Sequence, residues 1–378
     1  MKIYRINIVR ICLFFILYLF TYCSIKGTDK YNPKKFDIHV GVNLSNWFER
    51  NDLSSEQLAN YIDHHYLLKV KQMGFDHVRI PVNEELLFTS NLEYRQKYWN
   101  VLIDRVDFCH SVGLKTIVDL HSSRVYNRYD KSLFLDYSSL MYFLRVWMLM
   151  QDRFKHYSHK MLAYEMLNEP NVVEKMPNSL NEIFNRWIKL IRKVEPKRFL
   201  IIGANGGYRP WRVKYLDLPK DPYLVLTYHT YTPGVLTHYA TTWSEFRDYT
   251  YPVKYPGKVI EDKYFNKLNK KQKERFSIYN AYFDKSYLQD EINGFIDFAK
   301  SHNLQMYCGE FGCQRSVPDS SRYRWFGDIV SVFDENGIAY TMWGFRDTGF
   351  GLWNDTGVLD REQLKLITKK NYKGDDNQ

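Results

Sequence analysis

Eight short apolar runs, separated by stretches of helical spacing, are the feature that most limits how this chain folds. They are Val40–Leu44, His77–Val82, Leu114–Leu120, Leu162–Leu167, Phe199–Ile202, Tyr223–Thr227, Leu304–Cys308 and Ala339–Trp343. Runs this short, apolar and bounded by turn residues read as buried strands. Helical patterns lie between most of them: Glu56–Met73 stopped by Gly74, Trp99–Val112 stopped by Gly113, then Leu140–Phe154, Leu180–Val194, Leu288–Ala299 and Trp325–Phe333. Strand–helix alternation implies a parallel sheet with crossover helices. Eight such units close into a single (β/α)8 TIM barrel. An open doubly wound sheet places a glycine-rich turn after its first strand, whereas Gly203, Gly206 and Gly207 follow the fifth run and lack that frame. Most runs start 25 to 48 residues apart, but the sixth and seventh start 81 apart, so an insertion at about 235–287 follows strand six.

The ends of the chain are read separately. Lys2, Arg5 and Arg10 precede an unbroken apolar run, Ile11–Phe20. Ten apolar residues are short for a membrane span and fit a secretory signal over 1–23, with a short membrane anchor as the alternative. Cys23 sits where a lipoprotein is acylated, although Tyr22 before it is large; a lipid anchor there is the one membrane contact expected. Residues 24–36 read as a linker, 37–368 as the catalytic domain and 369–378 as a polar tail, which places the protein outside the cytoplasm as a monomer. Five cysteines match neither a zinc spacing nor a disulfide framework, so no metal site is expected. The formal charge of +10 is concentrated at 254–275, where no nucleic-acid-binding motif accompanies it, so that stretch is a solvated loop and no nucleic-acid partner is expected.

In a barrel of this kind the reaction face is at the strand C-termini. Polar residues collect there: Asn43, Asn46 and Trp47 after strand one, Arg79 in strand two, Asp119 and His121 after three, Asn168 and Glu169 after four, His229 and Tyr231 after six, Glu310 after seven, and Trp343, Arg346 and Asp347 after eight. Glu169 and Glu310 both follow apolar runs, where an uncompensated charge is costly. Strands four and seven lie on opposed sides of the ring, so the two carboxylates can face each other across its mouth. Paired carboxylates are the equipment of glycoside cleavage: one gives a proton to the leaving oxygen, the other attacks carbon while ionised. Arg79 and Tyr231 are placed to keep Glu310 ionised, Asn168 to bind a substrate hydroxyl, and Trp343 to offer a flat face to a sugar ring. Trp47, Tyr126, Tyr129, Trp211, Trp243 and Trp353 are candidate subsites.

Leu167-Asn168-Glu169-Pro170 resembles the signature of glycoside hydrolase family 5, the cellulase family A. Arg79, His121, Asn168, His229, Tyr231 and Trp343 resemble that family's supporting residues in the same order. The resemblance runs from about Gly41 to Asp360. It implies a retaining, double-displacement glycosidase acting on β-linked plant or microbial polysaccharide, with Glu169 as acid/base, Glu310 as nucleophile, and no cofactor. Endo-β-1,4-glucanase activity is the leading expectation; β-mannanase, xylanase and exo-β-glucosidase are the alternatives within the family. A non-catalytic carbohydrate-binding barrel is the alternative from another class, and the presence of both glutamates argues against it. The aromatic, basic excursion from Leu236 to Gly257 departs from the family's pattern. The whole insertion at about 235–287 is expected to lie over the reaction face and wall one end of the cleft, or else to pack on the outer helices.

Overall fold

The strand His77–Val82 is buried at every residue, the pattern of a strand covered on both faces. The same holds for most of its neighbours, and together they close a ring. The computed structural model describes residues 32–121, 136–171, 179–346, 349–354 and 356–375. The leader, Tyr126, Tyr129 and Asp347 lie outside these described residues. The barrel strands are β1 (Val40–Asn43), β2 (His77–Val82), β3 (Lys115–Leu120), β4 (Leu162–Glu165), β5 (Phe199–Gly203), β6 (Leu224–Thr230), β7 (Gln305–Phe311) and β8 (Ala339–Met342). They are parallel and close in the order β1-β8-β7-β6-β5-β4-β3-β2.

The crossover helices are α1 (Ser55–Tyr61), α2 (His64–Met73), α3 (Gln96–Ser111), α4 (Tyr137–Phe154), α5 (Ser179–Arg192), α6 (Lys285–Ser301) and α7 (Asp319–Asn336), followed by α8 (Arg361–Thr368). The one helix expected over 56–73 is two. Ile62 is extended, and the Asp63 carboxylate accepts from the Tyr66 N–H, which starts a new helix. Between β5 and β6 the crossover shrinks to a 3-10 turn, Pro210–Tyr215. Among the described residues no helix is long and apolar enough to cross a membrane.

Two domain limits move. Phe36, expected in the linker, is buried and packs with Ile38, Ile117, Phe199 and Tyr307 as the floor of the barrel. Its N–H donates to Gln305 Oε1 at 2.7 Å. At the other end the expected polar tail is tied back, with Arg361 donating to the carbonyls of Tyr372 and Gly374. Cys109, Cys308 and Cys313 are buried free thiols.

One irregularity positions the site. Tyr228 pairs with Cys308, but the next residue, His229, pairs with Glu310, so Gly309 is extra on β7. The pairing with β8 shifts at the same place. Such a bulge re-aims the side chain that follows it, here Glu310. A β-carbon at Gly309 would lie 2.8 Å from His229 Nε2 and 3.1 Å from Thr227 Oγ1. Gly309→Ala should therefore cost about 1–3 kcal/mol by overpacking, read as a lower urea midpoint. Gly294→Ala, on α6 with nothing within 4 Å, should instead gain up to about 1 kcal/mol from helix propensity.

Candidate active site

Arg79 stands at the centre of the barrel mouth, fully buried. Its Nε and Nη2 grip both oxygens of Glu165 at 2.8 Å. Nη1 reaches Asn43 Oδ1 and Glu310 Oε1, both at 2.9 Å. Nη2 also reaches Asn168 Oδ1 and Asp119 Oδ2 at 2.9 Å. The second Glu310 oxygen accepts from the Tyr231 hydroxyl at 3.0 Å. The nitrogen of Asn43 donates to the Gly309 carbonyl at 3.0 Å, holding the bulge itself.

Across the mouth, His229 Nδ1 lies 2.8 Å from Glu169 Oε1 and 3.7 Å from Glu310 Oε2. The ligand-type atoms of Glu169, His229 and Glu310 all fall within 4.8 Å of one another. This is the one cluster among the described residues with a spacing that a cation could use. Arg79 and Tyr231 engage the Glu310 oxygens and His229 Nδ1 engages Glu169, while His229 Nε2 is buried without a hydrogen-bond partner.

Asn168 and Glu169 lie beyond the end of β4, and their placement depends on a neighbouring loop. Glu169 has φ +41°, a region that non-glycine residues enter only when their surroundings hold them there. The loop after β5 supplies that hold. The N–H groups of Gly206 and Gly207 both donate to the Pro170 carbonyl, at 2.8 and 3.2 Å. The Tyr208 hydroxyl donates to the Leu167 carbonyl at 2.5 Å. Tyr208 also packs edge-on against the His229 ring. All three loop residues have positive φ, which explains the paired glycines.

The hydrogen bonds assign proton positions. Asn168 Oδ1 accepts from Arg79, so its Nδ2 faces His121 Nε2 at 3.4 Å. His121 therefore carries its proton on Nδ1, donated to Asp119 at 2.9 Å. Burial lowers the pKa of His121 and holds that of His229 down to about 4, so both rings are neutral near pH 7. Burial also pushes Asp119 up to about 7 and raises Glu165. Glu310 departs from expectation: burial and the Glu169 charge raise its pKa, and the opposing pull of His229 and Arg79 does not reverse this.

Trp343 is half-buried and stacks on His121 with ring centroids 5.8 Å apart. Two candidate subsites are corrected. Trp47 is fully buried, its indole N–H bound to the Leu58 carbonyl. Trp353 is 3% exposed, edge-on to Phe345. Both are core residues with no face for a sugar. Arg346 turns away to lie over the rings of Tyr61 and Tyr66.

A cavity of about 780 Å³ opens beside Glu169 and His229. Trp211 from the β5 loop and Trp243 and Phe246 from the insertion wall it. The insertion reaches both this cavity and an outer helix. Residues 243–246 line the cavity, while Tyr255 binds Ser321 and Asp328 on α7. Most of its aromatics form its own packing: Tyr249 and Tyr255 are buried, and Tyr251 stacks on Tyr264. The basic stretch at 254–275 makes exposed ion pairs such as Lys258–Asp262.

Several site residues escaped the sequence reading. Glu165 sat inside an apolar run, where a charge in a buried strand was the available signal. Tyr208 and Glu291 had none. Glu49, which accepts from the Trp47 N–H at 2.9 Å and whose pKa burial raises, was equally silent.

Residues 40–349 match the model of the cellulase family, glycosyl hydrolase family 5. Endoglucanase C of Acetivibrio thermocellus is 27% identical over 339 residues, covering 88% of this chain and 98% of that protein. Cellodextrinase A of Ruminococcus flavefaciens is 27% identical over 312 residues, covering 81% and 85%. Among solved structures, a hyperthermophilic endo-β-1,4-glucanase in complex with substrate superposes with TM-score 0.71 at 23% identity, covering 90% of this chain and 99% of that one, which bears on the fold alone. With a family match across most of its length, a closed parallel barrel and two carboxylates converging at its mouth, the chain belongs to glycosyl hydrolase family 5 and is a glycosidase.

Proposed function

We propose that this glycosidase is a secreted, retaining endo-β-1,4-glucanase, with Glu310 as nucleophile and Glu169 as acid/base. The observation that carries the mechanism is that an oxygen of Glu169 and an oxygen of Glu310 lie within 4.8 Å of each other. Retaining enzymes hold theirs about 5–5.5 Å apart, whereas inverting enzymes need about 6.5–9.5 Å to admit a water between them. Names of relatives support the glucan: endoglucanase and cellodextrinase at 27% identity. The basic start and apolar run of residues 1–23 support secretion.

The steps follow from the contacts. A Glu310 oxygen attacks the anomeric carbon while the glycosidic C–O bond breaks and Glu169 gives its proton to the leaving oxygen. Arg79 and Tyr231 fix the attacking carboxylate. Glu169 then takes a proton from water, which attacks the same carbon and frees Glu310. His229 stays neutral throughout. Its Nδ1 lies 2.8 Å from Glu169 Oε1, so the same ring positions that carboxyl group in both steps. Trp343 and His121 form the sugar platform on the other side.

Three outcomes test this reading. A β-linked glucan should release the β-anomer first, seen by proton NMR within minutes; initial α-anomer excludes the mechanism. Glu310→Gln should abolish turnover of every substrate. Glu169→Ala should lose roughly 10²–10⁴ in rate on natural glucans, less on aryl glycosides with activated leaving groups, and azide should speed its second step. The pH profile of kcat/KM should be bell-shaped. Because the Glu310 pKa is raised and the group acts ionised, activity should fall on acidification at a pH above the ordinary glutamate range. An acidic limb at or below that range contradicts the assignment.

A further inference from the structure

The cavity beside Glu169 holds a second carboxyl group that the proposed reaction does not use. Glu291 lies on α6, a crossover helix outside the barrel, yet its side chain lines the cavity at the tip of β6. The Thr232 hydroxyl donates to Oε1 at 2.5 Å, and the Thr230 hydroxyl to Oε2 at 3.2 Å. These threonines flank Tyr231, whose own hydroxyl points the other way, to Glu310. No lysine or arginine among the described residues is paired with Glu291, and burial raises its pKa. Arg209, which lines the same cavity, opposes that rise by its charge without pairing with Glu291; keeping a carboxyl out of water without a paired cation is costly, and a neutral acceptor would satisfy the two threonines as well.

Each Glu291 oxygen accepts one hydroxyl hydrogen from the protein and keeps further lone pairs on a group that lines a cavity of about 780 Å³. A carboxylate is the strongest acceptor that a side chain can offer to sugar hydroxyls. Glu169 borders the same cavity, and Glu169 is the residue assigned to protonate the leaving oxygen. A sugar in this cavity is therefore part of the leaving group. We propose that Glu291 is a specificity-determining residue of the leaving-group site: it accepts hydrogens from the hydroxyls of the neutral sugar released in the first step, in the cavity that Trp211 and Trp243 also line. The proposal rests on the retaining-glycosidase reading above.

The test compares two substrates with a common glycone. A cello-oligosaccharide offers hydroxyls to the leaving-group site; a nitrophenyl cellobioside does not. For Glu291→Gln and Glu291→Ala, kcat/KM on the oligosaccharide should fall at least tenfold further than on the aryl substrate, about 1.4 kcal/mol. Glu291→Gln keeps an acceptor for the threonines and carries the test if the alanine variant does not fold. Equal falls on both substrates would mean that Glu291 acts only through Thr230, Thr232 and Tyr231, and overturn the proposal. Unchanged kinetics on both would overturn it too. A wild-type protein inactive on both substrates overturns the endo-β-1,4-glucanase reading and the proposal with it.

Discussion

The Arg79 guanidinium is the constraint on which the rest of the site depends. It is buried in β2, and its donors reach Asn43 on β1, Asp119 on β3, Glu165 beyond it on β4, Asn168 in the turn that follows, and Glu310 on β7. A planar fork of five N–H groups suits such a hub, and a lysine could not replace it. Glu310 and the residue beside Glu169 are thus referred to the same rigid group.

One cation among three buried acids leaves the cluster short of positive charge. The pKa values of Asp119, Glu165 and Glu310 are accordingly raised by burial, and both histidines are neutral. Such a site holds mobile protons near neutral pH, as double displacement with a single acid/base requires. The two carboxyl groups are also held differently. Glu310 sits in a strand, aimed by a bulge and gripped through both oxygens. Glu169 sits in a turn with an unfavourable φ, held through the carbonyls on either side of it by the β5 loop. The fixed group is the proposed nucleophile; the more exposed one, at 27%, is the proposed proton carrier.

The insertion is a small packed unit rather than a loose lid. It has its own aromatic core and a short ribbon, Gly257–Lys258 with Tyr282–Phe283, and it is seated on α7 by Tyr255. Its His238, its 243–246 stretch and Tyr279 turn toward the cavity. Its aromatic content is thus mainly structural, although Trp243 at the cavity is 65% exposed and Tyr282 in the ribbon 63%.

Much of the fold was legible because a barrel is built from local repeats. Each strand is an apolar run and each crossover a helical pattern, so all eight strands and the insertion could be read from periodicity. The paired glutamates were legible because carboxylates at the ends of apolar runs are rare. What the sequence could not convey was how non-local neighbours share one burial. Trp47 and Trp353 read as surface platforms but are core, because exposure depends on what folds over a residue. Glu165, Tyr208 and Glu291 carry no local pattern, since their roles exist only where elements distant in sequence meet. The upward direction of the Glu310 pKa is of the same kind: the residues that stabilise its charge were visible in the chain, but the desolvation that outweighs them is a property of the closed barrel.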